Sequence, residues 1–146
     1  MLINIFENDE VICELDEDIP LLRHFWKKEQ SGESFRKNLV ILLEEYISLK
    51  KTYATLAWMA DTRLLGELDE ETETWLSDHW QDMLFMKAGV KVHAVILGDS
   101  IFADYPMEKF KLEADQKFKE HNVYLGVFPN EEKALSWIKS KMKIIQ

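Results

Sequence analysis

Cysteine, glycine and proline are scarce in this chain of 146 residues, and each scarcity excludes a class of protein. Cys13 is the only cysteine, so no intrachain disulfide can form, and its apolar, strand-like surroundings predict a buried thiol. Five glycines and three prolines leave no room for a long flexible linker. The length suits one domain with a single core, which we place at residues 1–146.

Positive charge is also scarce. Eighteen basic residues stand against 27 acidic ones, which gives a formal net charge of −9. An acidic chain lacks the basic face that nucleic acids or anionic membranes require. No apolar run approaches the ~20 residues of a membrane span, and the N-terminus has no basic region typical of a signal peptide. The sequence therefore predicts a cytoplasmic protein that neither binds nucleic acid nor inserts into a membrane.

The common catalytic and ligand-binding motifs are missing. The sequence contains no G-x-S-x-G nucleophile elbow, no C-x-x-C pair and no glycine-rich phosphate loop. His24, His79, His93 and His121 show no i,i+4 pair of the kind that binds zinc on a helix, and we interpret all four as structural or solvated. We therefore expect no cofactor, no bound metal and no catalytic residues.

The N-terminal segment has the pattern of a β-hairpin. Two short apolar runs, Leu2–Phe6 and Val11–Leu15, flank the turn residues Asn8 and Asp9, which predicts a hairpin. The run L-L-R-H-F-W that follows is a candidate third strand.

Helices and strands then alternate to the end of the chain. Helical periodicity predicts helices over residues 31–50 and 69–87, a third beginning at Pro106, and a last one after Asn130. Between them, apolar runs predict strands over residues 52–60, 90–97 and 123–128. This alternation predicts an α/β fold in which an N-terminal hairpin is followed by parallel strands joined by helices.

Polar residues follow the predicted parallel strands. Asp61, Thr62 and Arg63 come directly after one strand, and Asp99 and Ser100 follow the next. Because ligands favour the carboxyl edge of a parallel sheet, these five residues are the candidate interaction surface. Alternatively, they end the strands only because the chain leaves the core for water. Asp61 and Asp99 could also form an acid pair, but Arg63 offers a simpler role as an ion-pair partner that orders the turn.

Trp75 and Trp80 lie five residues apart on the second predicted helix. At 3.6 residues per turn the two rings cannot fully share one narrow face. One ring is therefore expected on the sheet and the other at a border. Core packing is the favoured role of these rings, with a dimer or ligand surface as the alternative.

Several segments, taken in order, resemble the SpoIIAA-like branch of the sulfate transporter and anti-sigma factor antagonist (STAS) superfamily. They are W-K-K-E-Q-S-G-E-S-F-R from Trp26, M-A-D-T-R from Met59, E-T-W-L from Glu73, V-K-V-H-A-V-I-L from Val90, and V-F-P-N-E-E-K-A-L-S-W-I from Val127. The last segment is the most specific, and the resemblance extends over roughly residues 1–140.

The resemblance implies a layered sheet with helices mainly on one face, and a non-enzymatic regulatory domain that binds a protein partner or a small ligand. Family members acting as anti-sigma antagonists carry a phosphorylated serine at the start of the second helix. Here the segment between Arg63 and Trp75 reads L-L-G-E-L-D-E-E-T-E-T, without a serine. We therefore expect no phosphoserine switch, although Thr72 is a possible substitute.

Three functions remain open from the sequence. The first is regulation through contact with an unidentified protein partner, which includes a possible homodimer. The second is binding of a small molecule or lipid in an apolar pocket, which the Trp, Phe and Met content would suit. An enzyme that uses Asp61, Asp99 and Ser100 ranks third.

Overall fold

One mixed sheet of six strands organises the part of the chain that the structure describes. The computed structural model describes residues 1–97 and 106–145. The strands are β1 (Leu2–Glu7), β2 (Val11–Asp16), β3 (Leu21–Trp26), β4 (Ala57–Asp61), β5 (Val92–Ile96) and β6 (Tyr124–Phe128). Their order in the sheet is β1-β2-β3-β4-β5-β6, the same as in the chain. The predicted α/β class is confirmed.

The first three strands are the predicted hairpin and the candidate third strand, and together they form an antiparallel meander. β1 pairs antiparallel with β2, and β2 pairs antiparallel with β3. The side chain of Asn8 closes the hairpin turn, because its Oδ1 accepts hydrogen bonds from the backbone N–H groups of Glu10 (2.8 Å) and Val11 (3.0 Å). Cys13 is fully buried in β2, as predicted.

The last four strands are parallel, and helices connect them. β3 pairs with β4, β4 with β5, and β5 with β6, all in parallel. The described residues form four helices, three of them with the bounds α1 (Gly32–Lys50), α3 (Pro106–Lys117) and α4 (Glu131–Ile145). α2 spans residues 70–87 and is described below. Within the described residues, no helix is long and apolar enough to cross a bilayer.

Side-chain caps start these helices where the sequence predicts. Ser31 accepts the backbone N–H of Ser34 at the start of α1, and Asp69 accepts that of Thr72 at the start of α2. At the start of α4, Asn130 Oδ1 accepts the N–H of Lys133 at 2.9 Å. Each cap satisfies a backbone donor that the helix itself leaves unpaired.

β4 starts five residues later than the sequence predicts. The backbone N–H groups of Thr52 and Tyr53 donate to the carbonyl of Leu49 at the end of α1, at 3.0 and 2.9 Å. This closing turn uses the backbone donors of the β-forming residues, so pairing with β3 begins only at Ala57. Turn formation at a helix end thus overrides strand propensity here.

The two faces of the sheet carry two different cores. Three helices, α1, α2 and α3, cover one face, which we call the three-helix face. α4 alone covers the other, the α4 face, where it packs on β4, β5 and β6. Along β4 the side chains alternate between them, so that Trp58 and Ala60 lie on the three-helix face and Ala57 and Met59 on the α4 face.

Most of α2 is wider than an α-helix. It is α-helical over Glu70–Trp75 and π-helical over Leu76–Trp80 and Asp82–Lys87. In a π-helix the hydrogen bonds run from residue i to residue i+5, so residues five apart come close to one face. Trp75 and Trp80 therefore stack, with ring centroids 5.6 Å apart and an interplanar angle of 25°. The expectation that one ring packs on the sheet and the other lies at a border is confirmed, because Trp80 is buried against Trp58 whereas Trp75 is only partly buried.

A candidate ligand cavity on the three-helix face

A cavity of about 990 Å³ lies between the three-helix face and the helices that cover it. β3, β4 and β5 supply its floor, and α1, α2 and α3 contribute side chains to its walls. Segment 62–68, which follows β4, lines its mouth. The cavity is partly open to solvent rather than sealed in the core, which is typical of a ligand-binding cleft.

Aromatic side chains form much of the cavity wall. Trp58 is fully buried at the centre of the floor and stacks on Tyr46, with ring centroids 5.2 Å apart and an interplanar angle of 14°. Its other contacts include the edge of Trp80, at 6.0 Å between centroids. Trp26 lies beside Phe35, with ring centroids 5.1 Å apart. Such stacked and edge-to-face rings hold one another in fixed orientations.

His24 lines this cavity and carries an unpaired N–H group. The Trp58 indole N–H donates to His24 Nδ1 at 2.9 Å. Because Nδ1 accepts a hydrogen bond, the proton of the neutral ring is on Nε2. That Nε2 atom is buried and has no hydrogen-bond partner among the described residues. Burial lowers the pKa of His24 to about 3, with a further contribution from His93, so the ring is neutral at pH 7.

His93 has the opposite tautomer, so its free ring nitrogen is a hydrogen-bond acceptor rather than a donor. Its Nδ1 lies 3.0 Å from the backbone carbonyl oxygen of Trp58, and a carbonyl can only accept, so Nδ1 carries the proton. The remaining ring nitrogen, Nε2, therefore has a free lone pair in the neutral ring. Burial lowers the pKa of His93 to about 4. Trp58 thus sets the tautomers of both histidines, one through its side chain and one through its backbone.

Trp26 adds a second unpaired donor. Its indole Nε1 is buried without a hydrogen-bond partner among the described residues, although the side chain lines the cavity. Trp26 and His24 lie two residues apart on the same face of β3, with ring centroids 5.4 Å apart. The floor therefore offers two N–H donors from one strand and one nitrogen acceptor from β5.

Charged side chains lie at the mouth of the cavity. Basic and acidic groups alternate there, from the segment after β3, the segment after β4 and the start of α2: Lys27, Lys28, Glu29, Arg63, Glu67 and Glu73. Lys27 is paired with Glu7 at 2.6 Å. The opening is thus charged and mixed in sign, whereas the interior is aromatic and neutral.

The candidate strand-tip residues occupy three different places. Asp61 is buried on the α4 face, and its carboxylate accepts hydrogen bonds from the Arg63 backbone N–H (3.1 Å) and from the Arg63 guanidinium (2.5 Å at the shortest). The predicted ion pair that orders the turn is therefore present. Thr62 donates its hydroxyl hydrogen to the carbonyl of Ile96 at 2.7 Å and lines the cavity mouth with Arg63. Asp99 and Ser100 lie outside the described residues.

No metal-binding cluster is found where the structure can be described. Across residues 1–97 and 106–145, no three His, Cys, Asp or Glu side chains lie close enough to bind a metal ion together. The carboxylate of Asp61 is already bonded to Arg63. The residues that line the cavity supply hydrogen-bonding groups and aromatic side chains, which suit the binding of a ligand.

The sequence alone did not single out His24 or His93 as functional. Both were interpreted as structural or solvated, and the structure places both on the cavity floor. Strand alternation carried a usable signal, because His24 and Trp26 are two residues apart in a strand, as are His93 and Val95. His79 and His121 are exposed, which agrees with the solvated interpretation.

Comparison with known proteins found no matching family model, no matching curated protein and no matching solved structure. The function is therefore argued from the geometry of the cavity.

Proposed function

We propose that this domain binds a small apolar molecule in the cavity on the three-helix face. The observation that carries the proposal is the cavity itself, because its volume of about 990 Å³ falls at the upper end of the range of ligand sites. A core that needed only to be stable would close most of such a space.

The lining supports an apolar or aromatic ligand. Trp26, Trp58 and Trp80 are among the lining residues, and indole rings are large, rigid groups against which a ring or an alkyl chain can pack. The π-helical geometry of α2 adds to the support, since such segments occur frequently at functional sites. The acidic composition and the single, buried thiol favour a cytoplasmic setting for this activity.

Titration with N-phenyl-1-naphthylamine, a neutral dye whose emission rises in apolar surroundings, tests this proposal. We expect saturable binding of one dye per chain in the wild type. Ala60→Phe, which places a ring in the cavity, should weaken that binding by at least about tenfold. Absence of saturable binding, or equal binding by the Ala60→Phe variant, would contradict the proposal.

A second proposal is regulation through a protein contact at the strand tips, in keeping with the STAS resemblance. It is favoured by the segment after β4, where Leu64 is 62% exposed and the neighbouring side chain of Arg63 is 42% exposed. Arginine is enriched among the residues that contribute most to protein–protein binding, so the exposed Arg63 and its apolar neighbour suit a partner contact. Asp61 is too well buried to serve as part of that contact.

We predict that Leu64→Asp lowers recovery of a partner several-fold when the tagged protein is purified from its own source. Leu112→Asp is the matched control, because Leu112 is 63% exposed on α3. Both changes are expected to leave the free energy of unfolding within about 0.5 kcal/mol of the wild type, since both side chains are at the surface. Equal recovery by the wild type and both variants would count against a contact at the strand tips.

A further inference from the structure

The cavity floor contains polar atoms whose hydrogen-bonding capacity the described protein does not use. His24 Nε2–H and Trp26 Nε1–H are buried donors without acceptors. Buried polar groups in native proteins are nearly always hydrogen-bonded, and each exception calls for an explanation. Both donors belong to residues of one strand that line one cavity, although each nitrogen itself has less than 1 Å² of accessible surface, and they point to an acceptor that the described protein does not supply.

The floor is also electrically neutral. The histidine rings of His24 and His93 remain uncharged at pH 7 because burial disfavours their protonated forms. The charged side chains that line the cavity among the described residues come from the segments after β3 and β4 and from α2, rather than from the sheet. A carboxylate or phosphate on the floor would thus be desolvated without a cation beside it, which is strongly unfavourable.

These two properties restrict the ligand. A pure hydrocarbon would leave both donors unpaired, and an anion would lack a counter-charge. A neutral carbonyl oxygen satisfies the donors, because its two lone pairs can accept from two N–H groups at once.

We propose, on the basis of the ligand-binding function above, that the cavity selects a neutral carbonyl compound with an apolar or aromatic body. The side chains that cover the two nitrogens move aside, the carbonyl oxygen accepts hydrogen bonds from His24 Nε2–H and Trp26 Nε1–H, and the body packs among the Trp rings. The lone pair on His93 Nε2 accepts from a hydroxyl or N–H group of the ligand where one is present.

Three naphthalene derivatives of similar shape test this selection. 2-Acetylnaphthalene carries the carbonyl, 2-isopropenylnaphthalene replaces its oxygen with CH₂, and 2-naphthoate replaces the neutral group with an anion. Their dissociation constants are measured by calorimetric titration of the intact protein. We expect the ketone to bind at least about tenfold more tightly than the hydrocarbon, since it satisfies donors that the hydrocarbon leaves unpaired. The ketone should also bind more tightly than the carboxylate.

The variant Trp26→Phe tests whether the indole N–H of Trp26 causes the preference for the ketone over the hydrocarbon. It removes the unpaired indole N–H and keeps an aromatic ring against Phe35. We expect the ratio of ketone to hydrocarbon affinity to fall several-fold in this variant. Trp137→Phe is the matched control, because it removes an indole from α4 on the opposite face of the sheet and should leave the ratio unchanged.

The possible outcomes separate this inference from the proposed function. Equal binding of the ketone and the hydrocarbon would overturn the carbonyl selection while leaving an apolar ligand cavity in place. If 2-naphthoate bound most tightly of the three compounds, the inference that the ligand is neutral would be overturned. Binding of none of the three compounds would overturn both this inference and the proposed function. The wild-type comparison decides these points even if Trp26→Phe does not fold.

Discussion

Lowering the pH from 8 to 5 is expected to reduce the free energy of unfolding by about 4 kcal/mol, or about 2 kcal/mol for each buried histidine. In the folded protein the pKa is about 3 for His24 and about 4 for His93, both well below the ordinary value of 6.5. The unfolded chain therefore binds more protons than the folded chain in this range. Stability is complete above pH 6.5 and is lost as the pH falls toward the folded pKa values.

Urea denaturation at several pH values measures this dependence. His93→Phe is expected to remove about half of the loss between pH 8 and 5, because one of the two titrating rings is gone. His79→Gln, which changes an exposed histidine on α2, serves as the control and should retain the wild-type dependence. A free energy of unfolding that stays constant from pH 8 to 5 would show that the two rings are not buried in their neutral form.

Ala60→Phe and Ala57→Phe are expected to have opposite consequences for stability, although the two alanines lie three residues apart on the same strand. Ala60 borders the cavity, so an added ring has room and gains apolar burial. Ala57 is fully buried on the α4 face, packed in the core with residues such as Met59 and Ile138. A ring there overfills a closed core, which typically costs about 1–3 kcal/mol and occasionally more.

Chemical denaturation of both variants measures this difference. We predict a free energy of unfolding for Ala60→Phe that equals or exceeds that of the wild type, and a lower one for Ala57→Phe. If both variants lost the same stability, the three-helix face would be packed as tightly as the α4 face, and the cavity would not exist in solution.

Local signals in the sequence are sufficient for most of the fold. The hairpin turn at Asn8, the caps at Asp69 and Asn130, and the apolar run of β5 depend on residues close together in the chain. Such patterns indicate which segments form strands and which form helices. They also led correctly to parallel pairing of the last strands.

The candidate site depends on information of a different kind. A cavity forms only where α1, α2 and α3 fail to fill the space above the sheet, and this depends on side chains far apart in the sequence. The π-helical turns of α2 could not be predicted from the sequence either, because the residues between Trp75 and Trp80 carry no distinctive pattern. Polar residues at strand ends predict a site at the strand tips, whereas His24 and His93 have no metal-ligand spacing and so predict only structural or solvated roles.

The most direct test of ligand binding is native mass spectrometry of the wild type and of Ala60→Phe, both purified without denaturant from the protein's own source. We predict that the wild type carries an additional mass of a small organic molecule, and that the variant, whose cavity is filled, does not. Fragmentation of the released compound then shows whether it is a neutral molecule that contains a carbonyl group. A clean chain mass in the wild type, or the same additional mass in Ala60→Phe, would contradict a ligand held in this cavity.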